Sequence, residues 1–206
     1  MTWDVSGLCA TGSHDVVASD VFVPHGYGYQ LGTARPVHEG PLYGYSVLGL
    51  LSVAVAGVAL GIGRGAPDDF RLLAGAKTPT GRRKALAEWS IAQARYAEAE
   101  GALRSGRAFL IEAVEGVWQT LVRGERPSDA QRAMVRLAAS TAVVGATKAV
   151  DAAYDLAGGS AIYSDHTLQR RFRDIHTLTA HVMIGQSSFE AAGRALLGLP
   201  LSPGFL

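Results

Sequence analysis

From Gly40 to Gly63 the chain carries no charged residue, and residues 47–62 read VLGLLSVAVAGVALGI. A run this long and this apolar has only two homes, a lipid bilayer or the inside of a helical assembly. Gly57, Gly61 and Gly65 recur every fourth residue, a small-residue spacing that also occurs in membrane helices. Alanine and glycine dominate rather than leucine and phenylalanine, and no basic cluster flanks the run. Those features favour a helix buried on all sides within a bundle, and no membrane partner is expected.

The rest of the chain agrees with a water-soluble bundle. Its 206 residues suffice for one domain with a real core. Hydrophobic residues are 48% and charged residues 18%, which excludes a disordered or low-complexity chain. Nineteen Lys+Arg oppose 18 Asp+Glu, so the basic excess of a nucleic-acid binder is missing. The one cysteine, Cys9, cannot form an internal disulfide, and no secretory signal opens the chain; a cytoplasmic setting is expected.

The first 40 residues read differently from those that follow. Residues 15–24, DVVASDVFVP, are rich in β-formers and close on a proline, which predicts a strand running into a loop. Residues 25–41 read as an irregular linker. A first helix is predicted from about Leu42 to Leu73, disturbed near Pro67. A second runs from about Arg83 to Val122, on an apolar stripe from Leu86 through Ala99 and Leu110 to Leu121. Ser128 and Gln131 form a capping box that starts the third, and Gly158-Gly159 stop it. A fourth spans about Ser164 to Gly198, on a stripe through Leu168, Ile175, Val182 and Phe189. The fold class is therefore mainly α. It is an antiparallel four-helix bundle over 41–206, preceded at 1–40 by a remnant of β structure and a linker.

Few residue patterns point to chemistry. The six histidines form no tight ligand pair, and no metal site is expected. A phosphate loop of the GxxxxGK[ST] kind and a GxGxxG after a strand are both missing. The fourth helix is unusually polar over Gln169–Asp174 and places Asp174, Thr177 and His181 on one face. A solvated face with ordinary ion pairs, Arg173 with Asp174 among them, explains that equally well.

Three blocks of sequence resemble the acyl-CoA dehydrogenase superfamily, specifically its two-component flavin-dependent monooxygenase branch. Residues 3–17 with Val21-Phe-Val-Pro24 look like the last strands of that family's middle β-domain. Residues 152–160, AAYDLAGGS, resemble its Gly-Gly turn. Residues 168–176, LQRRFRDIH, through His181 resemble its last helix. Dehydrogenases of the family carry a catalytic glutamate within a Tyr-Glu-Gly-Thr motif; here Ala180-His181-Val182-Met183 stands in its place. The base for a thioester α-proton is thus missing, which disfavours the dehydrogenase itself.

The resemblance implies reduced flavin, FMN or FAD, supplied by a separate reductase, with O2 as co-substrate. A flavin C4a-hydroperoxide would then hydroxylate an aromatic ring or a heteroatom. It implies His181 as the catalytic group, supporting that cofactor or deprotonating a phenol. It places Gly158, Gly159 and Ser160 where backbone approaches the flavin, with a plain helix C-cap as the alternative. Lys77 stands where the family often has a base facing a flavin phosphate, or is simply solvated. Trp3 resembles a tryptophan near the flavin ring, or is a packing aromatic. Family members are considerably longer and assemble through the bundle. A homodimer or homotetramer is therefore expected, and a further subunit is the expected source of the N-terminal half if the chain acts in a split enzyme. A non-catalytic scaffold bundle is the competing reading.

Overall fold

A computed structural model describes residues 1–29 and 36–200. Residues 30–35 of the expected linker and 201–206 of the expected bundle domain lie outside the described residues. Five helices follow in order: α1 Val47–Ala76, α2 Ser90–Val122, α3 Asp129–Ala157, α4 Thr167–Thr179 and α5 Gln186–Leu196. The helices start where the residues supply caps. The Ser46 hydroxyl accepts the Gly49 N–H at 2.9 Å, offsetting one of the four unpaired amides of the α1 terminus. Ser128 and Gln131 close the predicted capping box from both sides. Gly124 ends α2 and Gly158 ends α3, both at positive φ, where a side chain would be strained.

α1, α2 and α3 run up, down and up, and glycines set their spacing. A Cβ on Gly106 would lie 2.8 Å from the Ala142 Cα, and one on Gly145 only 2.5 Å from the Ala102 carbonyl. The pairing of 102 with 145 and 106 with 142 makes α2 and α3 antiparallel. α1 meets α3 as closely, since a Cβ on Gly63 would stand 2.7 Å from that of Ala146. Nearer its C-terminus α1 follows α3 in parallel, because Lys77 reaches Ala157. α3 is thus the central helix. Ala138, Ala142, Ala146, Ala149 and Val150 are wholly buried, and their small side chains are what lets two neighbours approach. Tyr45 ties the start of α1 to α2, its hydroxyl donating to the Val114 carbonyl at 2.6 Å. Burial, then the nearby Glu115 charge, pushes that phenol up to about 12.

Four expectations about the helices change. α1 is not buried on all sides. Its buried stripe is Ser52, Ala56, Ala59, Gly63, Ala66, Phe70 and Ala74, while Leu51, Val58 and Leu72 face out. α1 and α3 (with the turn after it) are long and apolar enough to cross a membrane by composition, but the most apolar window is 67% buried in α3 and 28% in α1. Pro67 does not interrupt α1; it is buried mid-helix and the helix runs on to Ala76. α2 begins at Ser90, because Leu86–Glu88 form a separate 3-10 turn whose Leu86 N–H donates to the Lys77 carbonyl. The fourth helix is two. α4 ends at Thr179, and the turn of residues 180–185 lets α5 fold back on α3 and buries Ile184.

No strand forms among the described residues. Residues 13–19 and 21–24 carry no regular structure and are exposed throughout, Val17 and Phe22 included. Their sequence suits a strand, but a strand requires a neighbour to accept its hydrogen bonds.

Candidate functional site

The sequence-predicted site residues fall in three places along α4 and α1. The first is the seat of the N-terminal segment on α4. Asp174 Oδ1 accepts the Leu8 N–H at 2.7 Å, and the Arg173 guanidinium donates to the Ser6 carbonyl at 2.9 Å. Between them Gly7 lies so close to α4 that a Cβ would collide with the Arg173 carbonyl and the Thr177 hydroxyl. Arg173 and Asp174 therefore do not pair with each other; each holds the incoming backbone. Trp3 is carried to the same place, its indole N–H donating to the Leu8 carbonyl at 3.3 Å. His14 Nδ1 accepts the Trp3 N–H at 2.9 Å and fixes the segment's first turn.

The second place joins two predictions that sequence could not connect. Lys77, one residue beyond α1, sends its ammonium to the Ala157 carbonyl and the Ser160 hydroxyl, each at 2.8 Å. A cation on the exposed carbonyls of a helix C-terminus is favourable in itself. It also uses two of three ammonium protons and leaves one for a ligand. Gly158 and Gly159 leave space beside it, since a Cβ on either would meet nothing within 4 Å. The residues present thus fit a phosphate approaching the turn: an ammonium with a donor to spare beside open backbone.

The third place is His181. It lies past the end of α4, not on the face of Asp174 and Thr177, and is exposed. Its N–H donates to the Leu178 carbonyl, and its own carbonyl accepts from Ile184, both at 2.9 Å. Its Nδ1 accepts the Met183 N–H at 3.1 Å. In the neutral ring the proton then sits on Nε2, which is left as the donor toward any ligand.

These places do not meet within one chain. The Met183 carbonyl receives the Ser52 hydroxyl at 3.4 Å, so His181 stands near the start of α1. Lys77 stands beyond its end, on the order of 37 Å along the axis at 1.5 Å per residue.

A fourth group escaped sequence reasoning. Arg171 on α4 donates to Asp69 on α1 at 2.6 Å, and both are partly buried. Gly65 makes room for that guanidinium, which any Cβ there would strike. Burial opposes ionisation of Asp69, but the hydrogen bonds from Arg171 and Thr167 outweigh it and hold the carboxyl below its ordinary range. Residues 69 and 171 lie so far apart in sequence that no periodicity could pair them. No cluster of metal-binding side chains occurs among the described residues.

Residues 53–186 match the family described as "Acyl-CoA dehydrogenase, C-terminal domain". An indole-3-acetate monooxygenase of Pseudomonas putida is 34% identical over all 206 residues, which are 52% of that protein. Two solved structures share the fold. One is a 3-HSA hydroxylase from Rhodococcus sp. RHA1, at TM-score 0.89 and 24% identity, covering 99% of this chain and 55% of that one. The other is XiaF from Streptomyces in complex with FADH2 and glycerol, at TM-score 0.88 and 22% identity, covering 97% and 52%. The chain spans about half the length of the curated relatives it matches.

Proposed function

The chain belongs to the acyl-CoA dehydrogenase C-terminal domain family, and from that premise we propose that it is the C-terminal portion of a flavin-dependent aromatic monooxygenase. The observation that carries the reading is the 34% identity, over the whole chain, to a protein named for that activity. Reduced flavin, FMN or FAD, delivered by a reductase, supplies the oxygen activation. The substrate class is an electron-rich ring of the indole or phenol kind. On this reading residues 1–40 are the last strands of a β-domain plus its linker, and 41–206 are the bundle domain. Val17 and Phe22 are exposed because the sheet they complete lies in the other half of the enzyme.

The residues take separate roles. Lys77 offers its spare ammonium proton to a flavin phosphate, and the open backbone at Gly158 and Gly159 lets that phosphate approach. Trp3, held against α4 through Leu8, presents a ring face near the flavin ring. His181 acts through Nε2. Because Nδ1 already holds the Met183 N–H, the neutral ring suits donation to a substrate or cofactor oxygen better than abstraction of a proton. Lys77 and His181 are too far apart for one flavin in one chain, so the two groups that serve a given flavin come from different copies. That requires a homodimer or homotetramer in which the outward face of α1, with Leu51 and Val58, is covered by a neighbour.

The test is direct. The chain, with the polypeptide that supplies its N-terminal half, is expected to retain FMN or FAD at concentrations on the order of tens of micromolar. Lys77→Met is expected to weaken that binding, and His181→Ala to abolish hydroxylation while flavin is retained. A reconstituted protein that stays colourless sinks the proposal. A second reading, a non-catalytic scaffold, is favoured by the exposed setting of His181. It predicts normal assembly with no flavin bound.

A further inference from the structure

Between α1 and α2, against the 3-10 turn of Leu86–Glu88, the surface opens into a cleft of about 140 Å³. Its floor is Ala74 and Ala92, both almost wholly buried, and its walls include the rings of Phe70 and Tyr96. Those rings lie 6.0 Å apart and tilted by 32°, an arrangement that leaves π faces and edges for a third ring. Arg71 and Gln93, from the flanking helices, complete a lining that is almost wholly apolar. Arg71 has no ion pair among the described residues. None of the residues assigned to flavin or to hydroxylation lines this cleft. It also lies far from His181: Ser52, which touches the His181 turn, is about 33 Å from Ala74 along α1.

We infer that this cleft is a binding site for one aromatic ring carrying an anionic substituent, with the ring between Phe70, Tyr96 and the alanine floor and the anion on Arg71. The volume decides the ring. An apolar protein cavity of about 150 Å³ stays dry and accepts a benzene-sized ligand. The present cleft is open on one side, and its volume matches a single six-membered ring, with a fused bicyclic ring projecting from its mouth. The cation decides the substituent. An unpaired guanidinium beside an otherwise apolar cleft attracts a carboxylate, and its planar fork matches one in two hydrogen bonds. The alanines decide specificity, because any larger residue there fills the space the ring needs. This assignment stands on the cleft alone and holds whether or not the chain hydroxylates anything.

Phenylacetate and its neutral counterpart benzyl alcohol are the probes, titrated into the assembled protein by calorimetry or ligand-observed NMR. Phenylacetate is expected to bind saturably, with a dissociation constant of roughly 0.1–1 mM. Arg71→Gln, a surface change, is expected to weaken phenylacetate about tenfold and to leave benzyl alcohol within about twofold, as loss of one charge-assisted contact requires. Ala74→Leu is expected to abolish binding of both. Ala87→Leu, at an exposed lining position, makes the same test without touching the core. The inference is overturned if phenylacetate does not saturate, if Arg71→Gln affects both probes alike, or if neither alanine replacement weakens binding. It is equally overturned if FMN displaces phenylacetate, because the cleft would then belong to the cofactor. Loss of hydroxylation in His181→Ala with phenylacetate binding intact would keep the two sites distinct.

Discussion

The N-terminal segment and the three long helices are both apolar, yet they meet water in opposite ways. Val16 and Phe22 keep 91% and 86% of their surface exposed, while Ala138, Ala142 and Ala146 keep none. The difference is not hydrophobicity. A helix satisfies its own backbone and needs only a face to bury, and α1–α3 supply such faces to one another. An extended segment needs a neighbour for its hydrogen bonds before it can bury anything. The chain gives residues 1–8 a seat on α4, through Asp174 and Arg173, and gives residues 13–24 none.

If that contrast is right, the bundle is sensitive to single atoms and the segment is not. The largest expected effect is at Gly145→Leu, whose Cβ runs into the Ala102 carbonyl. Overpacking against backbone costs about 3 kcal/mol and lowers Tm by roughly 10 °C in a chain of this size. A thermal melt within about 2 °C of the parent would mean that the helices can slide apart. Asp174→Ala comes next, for it strands the Leu8 N–H and removes a bond worth about 2 kcal/mol. Its signature is local: hydrogen exchange should accelerate over residues 1–12 and not over α3. Uniform acceleration would make the seat part of the core. Ser128→Ala removes a capping box and costs about 1 kcal/mol by denaturant titration.

A separate effect follows from pH. The hydrogen bond from Arg64 holds Glu100 at about 2, against the opposing effect of burial and with further help from Arg104. Its folded-state value lies below the ordinary one. The stabilisation is therefore complete above about pH 5 and is lost as pH falls toward 2. Glu100→Gln should flatten the acid limb of stability and leave stability above pH 5 reduced. An acid limb identical to the parent's would remove Glu100 from the account. The smallest effect is at Val17→Ser, expected within about 0.5 kcal/mol because nothing covers Val17 in this chain. A marked destabilisation there would show that the segment is already paired in solution.

Much of the fold could be read beforehand because its causes are local. The stripe from Leu86 to Leu121, the Ser128 box and the Gly158-Gly159 stop each lie within a few residues of what they determine. Lys77 and Ser160 are each candidates by resemblance, but their hydrogen bond spans 83 positions and leaves no trace in either neighbourhood. His181 departs from the predicted helix face for a related reason. Its apolar spacing continues through the turn, so the pattern reads as one helix where Ile184 and α5 turn back onto α3. The grouping of Arg171, Asp69 and Gly65 has no local signature, since a glycine that makes room for a guanidinium looks like any other glycine in a small-residue helix.

By itself the sequence determined that this chain would be helical, that α3 begins at the Ser128 cap, and that the chain shares its family's order of motifs, because periodicity, capping and turn glycines act over one or two turns. Only the tertiary structure decided which face of α1 stays open, that Asp174 holds backbone rather than Arg173, and that Lys77 and His181 stand at opposite ends of the bundle. Those outcomes depend on helix directions and on contacts between residues tens to hundreds of positions apart, and no local pattern encodes them.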